Sequence, residues 1–116
     1  MTEFAMASEA REAPRCVEAQ LDKDSVSVSR IAAILRQFQP RAVLTCARGS
    51  SDHAATYLRY LIETRLGLLT ASASPSVSSV YGVRQDLGGC LFLVISQSGQ
   101  SPDLLAAASV ARTRYE

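Results

Sequence analysis

Cys90-Leu91-Phe92-Leu93-Val94-Ile95-Ser96-Gln97-Ser98-Gly99-Gln100-Ser101-Pro102-Asp103 passes from an apolar run through a polar loop into a helix start. The six apolar residues are too few for a helix and include β-branched Val94 and Ile95, so they read as a buried strand. Ser101 is an N-cap residue type and Pro102 suits the first helical position, so a helix opens there. Upstream, Ala42-Val43-Leu44-Thr45-Cys46-Ala47 repeats the pattern between Pro40 and Gly49, and Gly49-Ser50-Ser51-Asp52 opens a helix in the same way. Twice, then, a buried strand runs into a serine-glycine loop and on into a helix.

The remaining segments fit between these anchors. The helix after Gly49 is predicted to run to about Leu66, with Ala55, Leu58, Leu61, Ile62 and Leu66 on one side and Gly67 placed as its C-terminal glycine. Residues 68–73 form a weak strand. Ser74-Pro75 starts a short helix in a serine-rich stretch, and Asp86-Leu87-Gly88-Gly89 is a turn. Residues 4–22 read as one helix with Pro14 as an interruption or new start. Ser25 to Phe38 reads as another, its face marked by Val28, Ile31, Ile34, Leu35 and Phe38 and its end by Pro40. The helix opened by Ser101 is still running at Glu116. Strands alternating with helices predict an α/β fold with a parallel, doubly wound sheet and right-handed crossovers. Three strands make an incomplete sheet.

Bulk properties narrow the function. The chain has 116 residues, 47% of them hydrophobic, enough for one domain or part of one with a packed core. A net charge of +1 gives no electrostatic reason to expect nucleic acid or an anionic membrane as partner. No apolar run approaches the ~20 residues of a membrane span. Glu3, Glu9, Arg11 and Glu12 break any signal-peptide core, so a cytoplasmic protein is expected. Cys16, Cys46 and Cys90 are widely spaced and form no CxxC pair, which argues against zinc and for reduced thiols.

Both serine loops are predicted to emerge at the carboxyl edge of a parallel sheet, where open α/β folds bind ligands. The first turn of each following helix offers unpaired N–H groups and a partial positive charge. Serine hydroxyls add donors without bulk, and Gly49 and Gly99 let backbone approach closely. That is anion-binding chemistry carried by hydrogen bonds, since neither loop contains lysine. Helix capping alone needs one serine per helix, whereas the second loop carries Ser96, Ser98 and Ser101. Sharper motifs are missing: no GxxxxGK[ST], no GxGxxG, and no GxSxG around Ser98. Ser51-Asp52-His53 cannot act as a triad, because consecutive helical residues point in different directions. His53, the sole histidine, is expected to face solvent or pack in the loop, and Arg48 either helps to hold phosphate or is an exposed or interface arginine.

The segments 43–51 and 94–103 resemble the two signature loops of the sugar isomerase (SIS) domain family, in particular those of aminosugar-phosphate synthases and deaminases. Met6 to Leu21, with Glu9, Glu12, Ala13 and Pro14, is similar to the helical lead-in of such proteins. The resemblance implies a flavodoxin-like strand order, a helical lead-in over residues 1–39 and a partial SIS domain over 40–116. It implies phosphate and sugar binding by Gly49, Ser50, Ser51, Ser96, Gln97, Ser98, Gly99 and Ser101. Relatives often carry Thr at the positions of Ser50 and Ser101 and Glu at that of Gln100. It further implies a sugar phosphate as ligand, a homodimer, and no metal or organic cofactor. The implied reaction is conversion of fructose-6-phosphate to glucosamine-6-phosphate using ammonia, or the deamination in reverse. The glutamate, histidine and lysine that perform it in the family belong to a second domain, and nothing in this chain corresponds to them. The final stretch, Ala111 to Glu116, also departs from the family, where a glycine-containing helix end is expected. The chain therefore reads as the front part of such a protein. Two other readings stand beside that one: a phosphosugar-sensing regulatory module, disfavoured because residues 1–40 carry no basic helix-turn-helix pattern, and an inactive fragment.

Overall fold

The structure, a computed structural model, describes residues 4–112. The chain divides into two compact units, Met1–Phe38 and Gln39–Glu116.

The first unit is a single helix, α1 (Ala5–Phe38), where the sequence reading expected two. Pro14 lies inside it. Proline removes one backbone donor and crowds the preceding turn, but Ala10, Arg11, Glu12, Ala13 and Arg15 around it favour helix, so the chain continues. Nor does Ser25 start a new helix. Its hydroxyl bonds back to the carbonyl of Asp22 (3.4 Å), and that of Ser29 to the carbonyl of Ser25 (2.9 Å), so both stay in the helix as back-bonding residues. With no glycine or proline from Arg15 to Phe38, nothing local stops propagation. The helix ends where Gln39 turns to φ +49 and Pro40 forbids another turn.

The second unit contains β1 (Ala42–Ala47), α2 (Ser50–Leu66), β2 (Thr70–Ser72), α3 (Pro75–Ser79), β3 (Cys90–Ile95) and α4 (Pro102–Arg112). The expected run of the last helix beyond Arg112, and the departure of the stretch's end from the family, fall on residues 113–116, outside the described residues. The three strands form one parallel sheet of order β2-β1-β3. This is the start of a flavodoxin-like order. β1 is central and reads as a short apolar run because both its faces are covered: Val43, Cys46 and the polar Thr45 are each at most 2% exposed. The connection from β1 to β2 runs one way across the sheet and that from β2 to β3 the other. Right-handed crossovers therefore place α2 on one face and α3 on the opposite one.

On one side Cys46, Leu104 and Ala107 form a buried cluster, with Ala73 and Phe92 packed against it. On α2, Ala55 and Ile62 are buried and Leu58 is half-buried, while Leu61 and Leu66 remain exposed, so the apolar face is narrower than its spacing predicts. Gly67 ends α2 at φ 65°, ψ 17°, donating to the Glu63 carbonyl (3.2 Å) as the sequence indicates. The Glu63 carboxylate also accepts the Thr70 N–H (3.1 Å), which satisfies a buried donor at the start of β2. The expected strand over residues 68–73 shrinks to three residues in pairing with β1. The glycine turn before β3 forms as predicted, with Gly88 N–H donating to Asp86 Oδ1 (3.0 Å) and Gly89 at φ +69.

Candidate functional site

β1 and β3 pair in full register, ending with Ala47 opposite Ile95. Being parallel, they release the chain at the same edge, so the loop at Arg48-Gly49 and the loop from Ser96 to Ser101 leave side by side. Between them lies an open cleft of about 270 Å³. Gly49, Ser50 and Ser51 line it from the first loop and Ser96, Gln97, Ser98 and Ser101 from the second. Gly99, the remaining residue named from sequence, does not line the cleft; it turns the loop at φ +66.

The first loop settles what its serines do. Gly49, at φ 58° and ψ −134°, occupies the N-cap of α2 and supplies no side-chain cap. Ser and Asp were the capping types expected here, but the helix begins at Ser50, one residue too early for Ser50 or Ser51 to cap it. Their hydroxyls have no hydrogen-bond partner among the described residues. The backbone N–H groups of Ser50 and Ser51 have no intrahelical acceptor either, because they open the first turn.

In the second loop the hydroxyls organise the backbone. Ser96 Oγ accepts from Gly99 N–H (3.0 Å) and Ser98 Oγ from Gln100 N–H (3.2 Å). A hydroxyl that accepts in this way keeps its own hydrogen to donate. Ser101, half-buried, stands just before α4, and its carbonyl accepts from Leu105 N–H (3.0 Å). The cleft thus gathers hydroxyl and backbone donors at the positive ends of two helices, a chemistry suited to an oxyanion.

Three lining residues fall outside the eight assigned from sequence, one of them Arg48, for which the sequence left phosphate contact and an exposed or interface role open. Ile95 and Leu104 form apolar parts of the wall. Leu104 had a legible signal, because an apolar side chain in a first turn leans toward the helix N-terminus. Arg48 also lines the cleft, 63% exposed at its side chain, with its guanidinium donating to the Asp103 carboxylate in the first turn of α4. Beneath the loops, Cys46 is fully buried. Burial is the main cause that pushes its thiol above the ordinary 9.0; Asp103 and Asp52 push the same way and Arg48 opposes them. His53 is exposed, as its isolation in sequence suggested.

A second cavity of about 350 Å³ lies between α3, α4 and the sheet, with Cys46, Phe92, Leu87, Ala107 and Val110 in its wall. It is the larger of the two and its wall also carries Ser74, Ser78, Arg84 and Gln85, but none of the eight sequence-derived residues lines it, and it does not lie at the edge where β1 and β3 release their loops. Among the described residues there is no group of three His, Cys, Asp or Glu able to hold a metal ion, and no helix long and apolar enough to cross a membrane.

No family model matches the chain. Over 85 residues it is 36% identical to the glutamine–fructose-6-phosphate aminotransferase [isomerizing] of Symbiobacterium thermophilum, a match that covers 72% of this chain and 13% of that protein. Among solved structures it is similar to one assigned as a phosphosugar isomerase from Silicibacter pomeroyi, with a TM-score of 0.83 and 50% identity. That match covers 86% of this chain and 31% of the other. The chain spans less than a third of the length of either relative.

Proposed function

We propose, for a chain whose α/β unit belongs to the sugar isomerase (SIS) domain family, that the cleft between its two serine loops binds the phosphate of an aminosugar or ketose phosphate. One observation carries this reading: two loops from adjacent parallel strands converge on one cleft, and the Ser50 and Ser51 hydroxyls are not consumed by capping. In this assignment Ser51 and the first N–H groups of α2 hold the phosphate from one side. Ser96, Ser98 and Ser101 hold it from the other, and Gln97 reaches the sugar. Gly49 and Gly99 shape the loops, and Ser50 adds a further donor. Binding rests on a preorganised set of hydrogen bonds to a charged group, each worth ~1.5–3 kcal/mol.

The reaction proposed for the whole enzyme is conversion of fructose-6-phosphate and ammonia into glucosamine-6-phosphate and water, or the reverse, with the ketose–aldose step carried by proton transfer between adjacent carbons. Support comes from the name of the Symbiobacterium relative and from the likeness of both loops. Among the described residues that line the cleft, none carries a carboxylate or an imidazole. Acid–base catalysis is therefore assigned to residues of a second domain, and this chain's part is to bind and orient the substrate. Residues 1–39 serve as a helical lead-in and 40–116 as part of the SIS domain, in a cytoplasmic, homodimeric protein that needs no cofactor.

The test is calorimetric titration of the 116-residue chain with fructose-6-phosphate, glucosamine-6-phosphate and the dephosphorylated sugars, alongside a turnover assay. Binding of both phosphates, none of the free sugars, and no turnover is the expected pattern. Equal affinity for free and phosphorylated sugars would remove the phosphate assignment. Turnover by this chain alone would remove the assignment of catalysis to another domain.

A further inference from the structure

The two loops are tied together by one ion pair, Arg48 Nη1 to Asp103 Oδ2, between residues 55 apart in sequence. Arg48 is the residue between β1 and Gly49, and Asp103 is the second residue of α4. Among the described residues lining the cleft, Arg48 alone carries a charge. Asp103 opposes that positive character twice. One carboxylate oxygen takes the guanidinium, and the other accepts the N–H of Leu104 (3.0 Å), a first-turn donor of α4 beside the cleft. Asp52, exposed in the first turn of α2, adds a second carboxylate to the neighbourhood. An anion site assembled from helix ends thus has its one cation cancelled rather than presented. Stability does not account for this, because a pair whose side chains are 63% and 36% exposed adds little to folding.

We propose that the Arg48–Asp103 pair is a specificity determinant of the cleft: it holds the two loops at one spacing and withholds the arginine charge, so that an anion is admitted by fitting the hydroxyl and N–H donors. Asp103 is in this sense a positioning residue, acting through Arg48. The inference rests on the phosphosugar reading above and names how that site selects its ligand. A free guanidinium attracts sulfate, inorganic phosphate and sugar phosphates alike through a long-range field, whereas a fixed donor array rewards shape. With the charge cancelled, the part of the ligand beyond the phosphate counts for more.

The opposite effects of the two partners provide the test. Calorimetry on the 116-residue chain would measure affinity for inorganic phosphate, sulfate and fructose-6-phosphate at low and high salt. The Asp103→Asn variant keeps an acceptor for Leu104 but frees Arg48. It should bind inorganic phosphate and sulfate on the order of tenfold more tightly, with a steeper salt dependence and a smaller preference for fructose-6-phosphate. Arg48→Met keeps the aliphatic stem and leaves Asp103 uncompensated, so all three anions should bind on the order of tenfold more weakly. The double variant should return close to the parent for inorganic phosphate, a compensation that a purely structural role does not give. Unchanged anion affinity in Asp103→Asn would overturn the proposal. So would a double variant as weak as Arg48→Met, which would make Arg48 a direct phosphate ligand. If the parent chain binds no fructose-6-phosphate, the phosphosugar reading itself fails and this inference goes with it. Parent binding with an unaltered Asp103→Asn variant sinks only the inference.

Discussion

Ala47 and Ile95 are partners across two parallel strands, and each is the last residue of its strand. The chain therefore leaves the sheet twice at one edge, one strand spacing apart, which is ~4.8 Å. Every feature of the cleft follows from that pairing. The residues after Ala47 and after Ile95 have to lie next to one another, and both continue into helices whose first turns border the same space.

Ser51→Ala and Ser98→Ala should each weaken binding of glucosamine-6-phosphate by ~1.5–3 kcal/mol, through loss of a hydrogen bond to a charged group. Ser98 has a second duty as acceptor for Gln100 N–H, so its variant should also lose a little stability, whereas Ser51→Ala should not. Calorimetry and denaturant melts on the same proteins check both halves. Retained affinity in both variants would show that the phosphate sits elsewhere. His53→Gln, by contrast, should bind normally, since His53 is exposed and does not line the cleft.

Gly49→Ala should destabilise the protein by ~1–3 kcal/mol through backbone strain. At φ 58° and ψ −134° the residue lies where L-residues are strongly disfavoured, although a methyl group there would meet no atom within 4 Å. The cost is thus conformational and not steric, and a chemical denaturation curve measures it. Wild-type stability for Gly49→Ala would mean that the first loop tolerates another backbone path.

Glu63→Ala should cost ~1–3 kcal/mol, because it strands the N–H of Thr70, a residue only 1% exposed. Glu63→Gln keeps an acceptor and should recover most of that loss. The companion ion pair from Arg59 Nε (3.4 Å) is half-exposed, so Arg59→Ala should change stability by less than about 0.5 kcal/mol. Equal destabilisation by the Glu63→Gln and Glu63→Ala variants would assign the effect to charge instead of the buried donor.

Alkaline stability should depend on Cys46. Its thiol is pushed above 9.0, first by burial and then by Asp103 and Asp52, so the folded state holds the proton more tightly than the unfolded chain does. That contribution is fully present below pH 9 and is lost as pH rises through the folded value. Unfolding free energy should fall from about pH 9 upward, and the slope should be smaller in Cys46→Ala. In native protein near neutral pH, Cys16, which is exposed, should react with a thiol reagent while Cys46 stays protected until unfolding. Rapid native labelling of Cys46 would contradict this.

What the sequence determined by itself is local. Pro40 before β1, Gly67 after α2, Gly88-Gly89 before β3 and Pro102 at the head of α4 act through their own backbone limits, so element types and most boundaries were legible before any contact was known. The two serine loops were legible for the same reason: glycine and hydroxyl chemistry mark a strand-to-helix turn wherever it lies. Pro14 shows where local reading misleads, because one unfavourable residue does not break a helix whose neighbours propagate it. The tertiary structure alone decided the rest. It placed β1 between β2 and β3, trimmed β2 to the residues that find partners on β1, and left Leu61 and Leu66 outside the buried face of α2. It also brought Arg48 to Asp103 across 55 residues. Such pairings depend on which surfaces meet when the sheet closes, a property of the whole packed chain that no local propensity encodes.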